Sequence, residues 1–206
     1  LYISQLFIGA ANWFVNLFVY LFLYIELGFP LWSVIVLYVA QPLLYGIFLH
    51  YGFKVTFFFG IKKSFAIGAI LNAIAITFLL FSQNNNWFII PFVLLSTLYW
   101  LFLEPGSSID NVLFTQKKAR ARQDSLYRAA GLSIKALIPL ISGILIVTFG
   151  FFVPFICAIV LSVMASIPIL FSKDTHDVGK NYSMKKNIQF FKSYKNKREF
   201  IAHIAD

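Results

Sequence analysis

Apolar residues fill six long runs of the chain, and short polar or glycine-containing segments separate these runs. A helix needs about 20 mostly apolar residues to cross a bilayer, and each run is close to that length. The runs also lack the period-two alternation of membrane-spanning strands, so we predict an all-α membrane protein of six transmembrane helices. The predicted spans cover residues 1–26, 31–50, 64–81, 87–111, 129–148 and 152–171.

Lysine and arginine lie on one side of this predicted bundle. Three fall between the second and third spans, five between the fourth and fifth, and eight after the sixth, while Lys135 lies inside the fifth span. Cytoplasmic loops are enriched in these residues. We therefore expect both termini and the loop 115–128 to be cytoplasmic, in a plasma membrane or bacterial inner membrane. The loop 82–86 is polar but uncharged, which suits the opposite side.

Composition excludes a water-soluble domain. The 206 residues are 60% hydrophobic and only 12% charged, whereas soluble domains are about a quarter charged. The net charge of +9 comes from clusters between apolar runs, which favours anionic lipid over nucleic acid as the partner. The single cysteine, Cys157, permits no disulfide within the chain. We find no metal-ligand spacing or phosphate-binding loop, and expect neither metal nor cofactor.

The domain boundary is predicted at the end of the sixth span, giving a bundle over 1–171 and a basic tail over 172–206. Basic residues alternate with aromatic ones in the tail, as in Lys192, Tyr194 and Lys195. This pattern suits a cytoplasmic amphipathic segment on the inner leaflet, with rings in the interface and ammonium groups at lipid phosphates. A solvated linker explains it equally well.

One face of the first span carries a polar stripe. Gln5, Gly9, Asn12 and Asn16 follow at steps of four, three and four residues, and Tyr20 continues the line. Amides that face lipid lack hydrogen-bond partners, so the stripe should face the protein interior. It either lines a water-filled cavity or holds helices together by hydrogen bonds.

The fourth span carries a second polar face. Its members are Thr97, Trp100, Glu104, Ser107 and Asn111. A carboxyl inside a span costs about 2.5–3.5 kcal/mol on insertion scales, which usually marks a functional group or an ion pair. Pro105 and Gly106 follow Glu104, so we expect a kinked or locally open helix there. Lys135 lies at a similar depth in the fifth span, where it either pairs with Glu104 or extends to the interface.

Several local motifs resemble the major facilitator superfamily of transporters. Gln41 and Pro42 lead to Gly46, Gly52 and Lys54, which looks like the family's gating loop between helices two and three. His50 or Leu49 stands at that motif's acidic position.

Further stretches strengthen the resemblance. Tyr99 and Trp100, the basic loop after them, and Pro139 through Gly143 look like the family's helix four to five region. Gly150 and Phe151 resemble its turn into helix six.

The resemblance implies the N-terminal six-helix half of a secondary transporter, built as a 3+3 inverted repeat. Such a permease moves a small solute by alternating access between two halves, with helices one and four lining the cavity. The cavity-lining candidates are Asn12, Asn16, Tyr20, Thr97, Trp100, Glu104, Ser107 and Asn111.

A second six-helix half, in the same full-length chain or on a partner, is then required. We expect the 206-residue chain to be partial and not to transport alone. An enzyme is not expected, since Ser107, Ser108 and His50 lack the neighbours of a serine protease site. The alternatives are a membrane-embedded enzyme and a structural or channel-forming bundle.

Overall fold

The computed structural model describes residues 2–113 and 120–170, and every element within these ranges is helical. They belong to the first of two units into which the chain divides, 1–172 and 173–206. The predicted tail from 172 onward and residues 114–119 lie outside the described residues. Six helical stretches are long and apolar enough to cross a membrane, which confirms the prediction of an all-helical chain with six candidate membrane spans.

Seven α-helices make up the six spans. The first span comprises α1 (Tyr2–Asn16) and α2 (Phe18–Ile25), which meet at Leu17. Leu17 itself keeps helical angles, with φ −75° and ψ −37°, so the span changes direction little there. The remaining helices are α3 (Leu31–Phe59), α4 (Ile61–Phe81), α5 (Ile89–Leu113), α6 (Arg120–Phe149) and α7 (Phe152–Leu170).

Three glycines reverse the chain between spans. Gly28, Gly60 and Gly150 have φ of +64°, +85° and +74°, a region that strains residues with a side chain. The connection between the third and fourth spans uses a 3₁₀ turn, Asn86–Phe88, in which the Trp87 N–H donates to the Asn85 side-chain oxygen at 3.0 Å. Short turns of this kind keep consecutive spans antiparallel.

One sequence prediction about a helix end is wrong. The second span was expected to stop at residue 50, but α3 continues to Phe59 because no helix-terminating residue precedes Gly60. The proposed gating residues Gly46, Gly52 and Lys54 therefore lie on a helix and not in a loop. Helix α6 begins at Arg120, nine residues before the predicted fifth span, but its membrane-spanning stretch, Gly131–Phe149, agrees with the predicted 129–148.

The expected opening at Pro105 is also absent, since α5 runs through it to Leu113 without interruption. A proline removes only the hydrogen bond to the carbonyl four residues earlier, here that of Leu101. Gly52 of α3 approaches this carbonyl so closely that a Cβ on Gly52 would lie 2.8 Å from the Leu101 oxygen. The neighbouring helix thus covers the group that proline leaves without its usual partner.

Helix α4 lies at the centre of the bundle and packs against α5 on one side and α7 on the other. Small residues allow these close contacts, including Gly68, Ala69 and Ala73 on α4 and Ala158 and Ala165 on α7.

The bundle has two apolar layers. One layer includes Phe65 and Leu103 and lies near the Gly60 turn. We call this end of the bundle the basic end, because Lys54, Lys62 and Lys63 are close to Gly60 in the sequence. The other extends to the opposite end, where Phe22 packs edge-on against Phe151 and Phe155.

Helices α3 and α6 are the least enclosed. In their membrane-spanning windows 6% of residues are buried, against 56% in that of α4. Both contain an internal proline, Pro42 or Pro139. Within the described bundle, therefore, two of the six spans have most of their surface on the outside.

Candidate functional site

Four helices meet at a polar cluster between the two apolar layers, which we call the polar hub (Asn12, Asn72, Tyr99 and Ser162). The Asn12 side-chain amide donates to the Tyr99 hydroxyl at 2.5 Å. The Asn72 amide donates to the Ser162 hydroxyl at 2.9 Å and to the Asn12 carbonyl oxygen at 3.5 Å. The hub thereby links α1, α4, α5 and α7. Asn12 thus makes the interhelical hydrogen bonds that its stripe allowed.

A small polar cavity of about 20 Å³ adjoins the hub. Asn16, Gln41 and Ser96 complete its polar lining. One ordered water needs roughly 10–15 Å³ and two to four polar partners. The cavity meets both requirements, so a single water fits beside the hub.

The main cavity is an open groove of about 650 Å³ between the first span, α3 and α5, which we call the groove. Its lining residues are Trp13, Asn16, Leu17, Tyr20, Tyr38, Gln41, Pro42, Tyr45, Trp100 and Glu104. Four predicted cavity residues, Asn16, Tyr20, Trp100 and Glu104, are among them. The structure thus brings polar residues of the first and fourth spans together, with the second span as a third wall.

The amide and carboxylate side chains of the groove lie next to a helix end or a proline. Asn16 ends α1, beside the interruption at Leu17. Gln41 precedes Pro42 within α3, and Glu104 precedes Pro105 within α5. The rest of the lining is mostly aromatic, and Tyr20 and Tyr38 pack edge-to-face at 4.9 Å. An apolar cavity with a few convergent polar groups is the usual form of a small-molecule site.

The remaining predicted site residues are not among the described residues that line the groove. Thr97 is buried, and its hydroxyl donates to the Val93 carbonyl at 2.8 Å within α5, so it does not line the groove. The backbone of Ser107 and Asn111 lies within α5, but their side chains fall outside the described residues. Among the proposed gating residues, Gly52 packs against α5, Gly46 faces open space, and the Lys54 ammonium lies 5.4 Å from the Tyr51 ring centroid.

Lys135 lies close to the groove wall. Its ammonium nitrogen is 5.5 Å from the centroid of the Trp13 ring, a cation–π contact between α6 and α1. The Glu104–Lys135 ion pair stays a prediction.

Sequence reasoning missed the contribution of α3 to the groove. Tyr38, Gln41 and Tyr45 follow at steps of three and four, the same signal that revealed the stripes of the first and fourth spans. It also missed Asn72 and Ser162. Ser162 shares its helix face with Ser166, but spacing within one helix does not show that this face meets Asn72.

Comparison of the chain with protein-family models, with curated proteins and with solved structures gave no match. The resemblance to the major facilitator superfamily therefore rests on the sequence motifs alone.

Proposed function

We propose that this chain forms one six-helix half of a secondary transporter of the major facilitator type, which moves a small solute by alternating access. The groove carries the proposal, because it combines a volume of about 650 Å³ with polar side chains from three spans. Asn16 and Gln41 lie near the middle of their membrane-spanning stretches. Polar groups at that depth normally face water or protein and mark a substrate pathway.

The helix packing supports a 3+3 repeat. The third span packs on the fourth as the sixth packs on the first, and the second packs on the fourth as the fifth packs on the first. The third and sixth spans also pack on each other. Exchanging spans one to three with spans four to six leaves this set of contacts unchanged, as a pair of repeated units requires.

The outer spans support a missing second half. Helices α3 and α6 have few buried residues, and α3 forms one wall of the open groove. A second six-helix bundle against this side would enclose Asn16, Gln41 and Glu104 in a central, wettable cavity. Rocking of the two bundles would then open the cavity to each side of the membrane in turn.

Cysteine accessibility at Asn16 tests alternating access without knowledge of the substrate. The full-length protein would carry Asn16→Cys in a Cys157→Ala background, in right-side-out and inside-out membrane vesicles. A membrane-impermeant maleimide should label residue 16 from both sides. Ser96→Cys, buried on α5, is the matched control and should label from neither side.

A structural bundle and a transporter give different results. In a static bundle the groove faces lipid or one aqueous side only, so labelling would occur from neither side or from one. Either outcome with correctly folded protein would refute alternating access. For a membrane-embedded enzyme, no observation on the described residues favours a catalytic cluster.

A further inference from the structure

The walls of the groove are largely aromatic. Five of its ten lining side chains are tryptophan or tyrosine: Trp13, Tyr20, Tyr38, Tyr45 and Trp100. The face of an aromatic ring is electronegative and attracts a cation placed within about 6 Å of its centroid. Tryptophan is the strongest of these attractors. Two tryptophans and three tyrosines around one cavity therefore form a surface suited to a cation with an apolar body.

The formal charge of the groove lining also favours a cation. Glu104 is its one carboxylate, and no lysine, arginine or histidine is among the described residues that line the groove. In a site of reduced dielectric constant a single carboxylate attracts a cation and repels an anion strongly. Asn16, Gln41 and Glu104 are the only amide or carboxylate side chains in the described lining.

A cation from the protein itself already occupies one aromatic face. The Lys135 ammonium lies 5.5 Å from the Trp13 ring centroid, and the Lys135 side chain is exposed. A ligand cation that approaches Trp13 must compete with this ammonium group and is repelled by it. Lys135 therefore fixes the expected sign of a substitution. Removing its charge should strengthen the binding of a cation and weaken the binding of an anion.

From these observations we infer that the groove binds lipophilic organic cations, with the charged centre between Glu104 and the face of Trp13. The apolar body of the ligand lies against Tyr20, Tyr38 and Trp100. The volume of about 650 Å³ falls in the range of roughly 300–1,000 Å³ that holds drug-sized molecules. The inference rests on the proposed function, since it names the substrate class of the same cavity.

Two probes of the same size and opposite charge test the inference. Tetraphenylphosphonium and tetraphenylborate would each be measured by equilibrium dialysis against the purified full-length protein in detergent, with empty micelles subtracted. We expect saturable binding of the cation. Glu104→Gln should weaken it by roughly tenfold, and Lys135→Met should tighten it by roughly threefold. The anion should respond with the opposite signs.

Further variants separate binding from folding. Glu104→Asp keeps the charge and should keep most of the cation affinity, and Thr97→Val, buried outside the groove, should leave it unchanged. Tighter binding of the borate than of the phosphonium would overturn the inference. So would phosphonium binding that is the same in Glu104→Gln, Lys135→Met and the unaltered protein.

The two proposals fail separately. Two-sided labelling of Asn16→Cys without charge-selective binding would leave a transporter and discard the cation. Charge-selective binding with labelling from only one side would discard alternating access and leave a cation-binding bundle.

Discussion

Asn72 is the residue on which the polar hub depends, because its one amide group reaches both Asn12 and Ser162. It is 6% exposed and lies on the most buried helix. Hydrogen bonds between membrane helices contribute on average about 0.6 kcal/mol each. These hydrogen bonds also hold together helices that are far apart in the sequence, since the hub connects α1 with α7 through α4.

Asn72→Ala should lower the free energy of unfolding by about 1–2 kcal/mol, since it removes two hydrogen bonds and leaves Asn12 with fewer partners. A double-mutant cycle with Ser162→Ala should give a coupling energy near 0.6 kcal/mol. The measurement is unfolding in mixed detergent micelles. Thr77→Val is the control on the same helix, because the Thr77 hydroxyl bonds only the Ala73 carbonyl of α4. If the two substitutions changed the unfolding free energy additively, the Asn72–Ser162 hydrogen bond would not contribute to stability.

Gln5, unlike Asn72, is a buried amide that lacks hydrogen-bond partners among the described residues. It is 6% exposed, and both its amide nitrogen and its amide oxygen lack a hydrogen-bond partner among the described residues. An unsatisfied buried polar group costs about 1–3 kcal/mol. Gln5→Met, of similar size, should therefore raise the unfolding free energy by about 1 kcal/mol, whereas Asn12→Leu should lower it. A loss of stability in Gln5→Met would mean that the amide is satisfied after all.

At this scale the sequence located polar faces but not the role of each member. The stripe of the first span divides in three ways: Gln5 is buried without a partner, Asn12 joins the hub, and Asn16 lines the groove. Helical spacing fixes which residues share a face. It does not fix which neighbouring helix stands opposite each residue, and that determines the role.

Among the helices, α3 approaches α5 closely beside Pro105. A Cβ on Gly52 would lie 2.8 Å from the Leu101 oxygen and 3.3 Å from the Pro105 ring. Contacts this short with backbone can be relieved only by moving a helix. The absence of a side chain at Gly52 is thus what allows α3 to cover the carbonyl that Pro105 leaves open.

Gly52→Ala should destabilise the bundle by about 1–3 kcal/mol through overpacking. Gly46→Ala on the same helix meets nothing within 4 Å and should be neutral or slightly stabilising, since alanine is the better helix former. Thermal unfolding in detergent measures both. Equal effects of the two substitutions would show that helix propensity, and not the crossing, governs this region.

Hydropathy predicted the existence and order of all six spans, because length and apolarity are what a bilayer selects. It failed at a helix end. The lengthening of α3 from 50 to Phe59 crosses Lys54 and Thr56, which are polar but do not stop a helix. Gly60 does stop it, since its φ of +85° cannot continue a helix.

For the whole molecule, the placement of lysine and arginine predicts that the basic end is cytoplasmic. In a Cys157→Ala background, Asn85→Cys should react with an impermeant maleimide added outside intact cells, because Asn85 is exposed at the end opposite the basic one. Lys63→Cys, exposed at the basic end, should react only after the membrane is opened. The reverse pattern would place the basic end outside and invert the predicted topology.

The groove itself could not be predicted from the sequence. Its three walls come from residues as distant as Trp13 and Glu104, and its openness depends on how α3 and α5 cross. The pairs of helices in contact depend on small residues and interhelical bonds that carry little periodic signal. The family resemblance supplied an expectation about helices one and four, and α3 was added by the structure.

The polar hub also determines the stage of synthesis at which the bundle can be completed. Ser162 is synthesised 90 residues after Asn72, the residue whose amide it accepts from, an interval of roughly 5–18 s at about 5–20 residues per second. Until then the third span lies in the membrane without the Ser162 hydroxyl that accepts from the Asn72 amide. The bundle is therefore complete only when α7 enters the membrane. A chain whose translation stopped before α7 would keep Asn72 in the membrane without its serine partner, and this exposed polar group would make the chain a target for quality control.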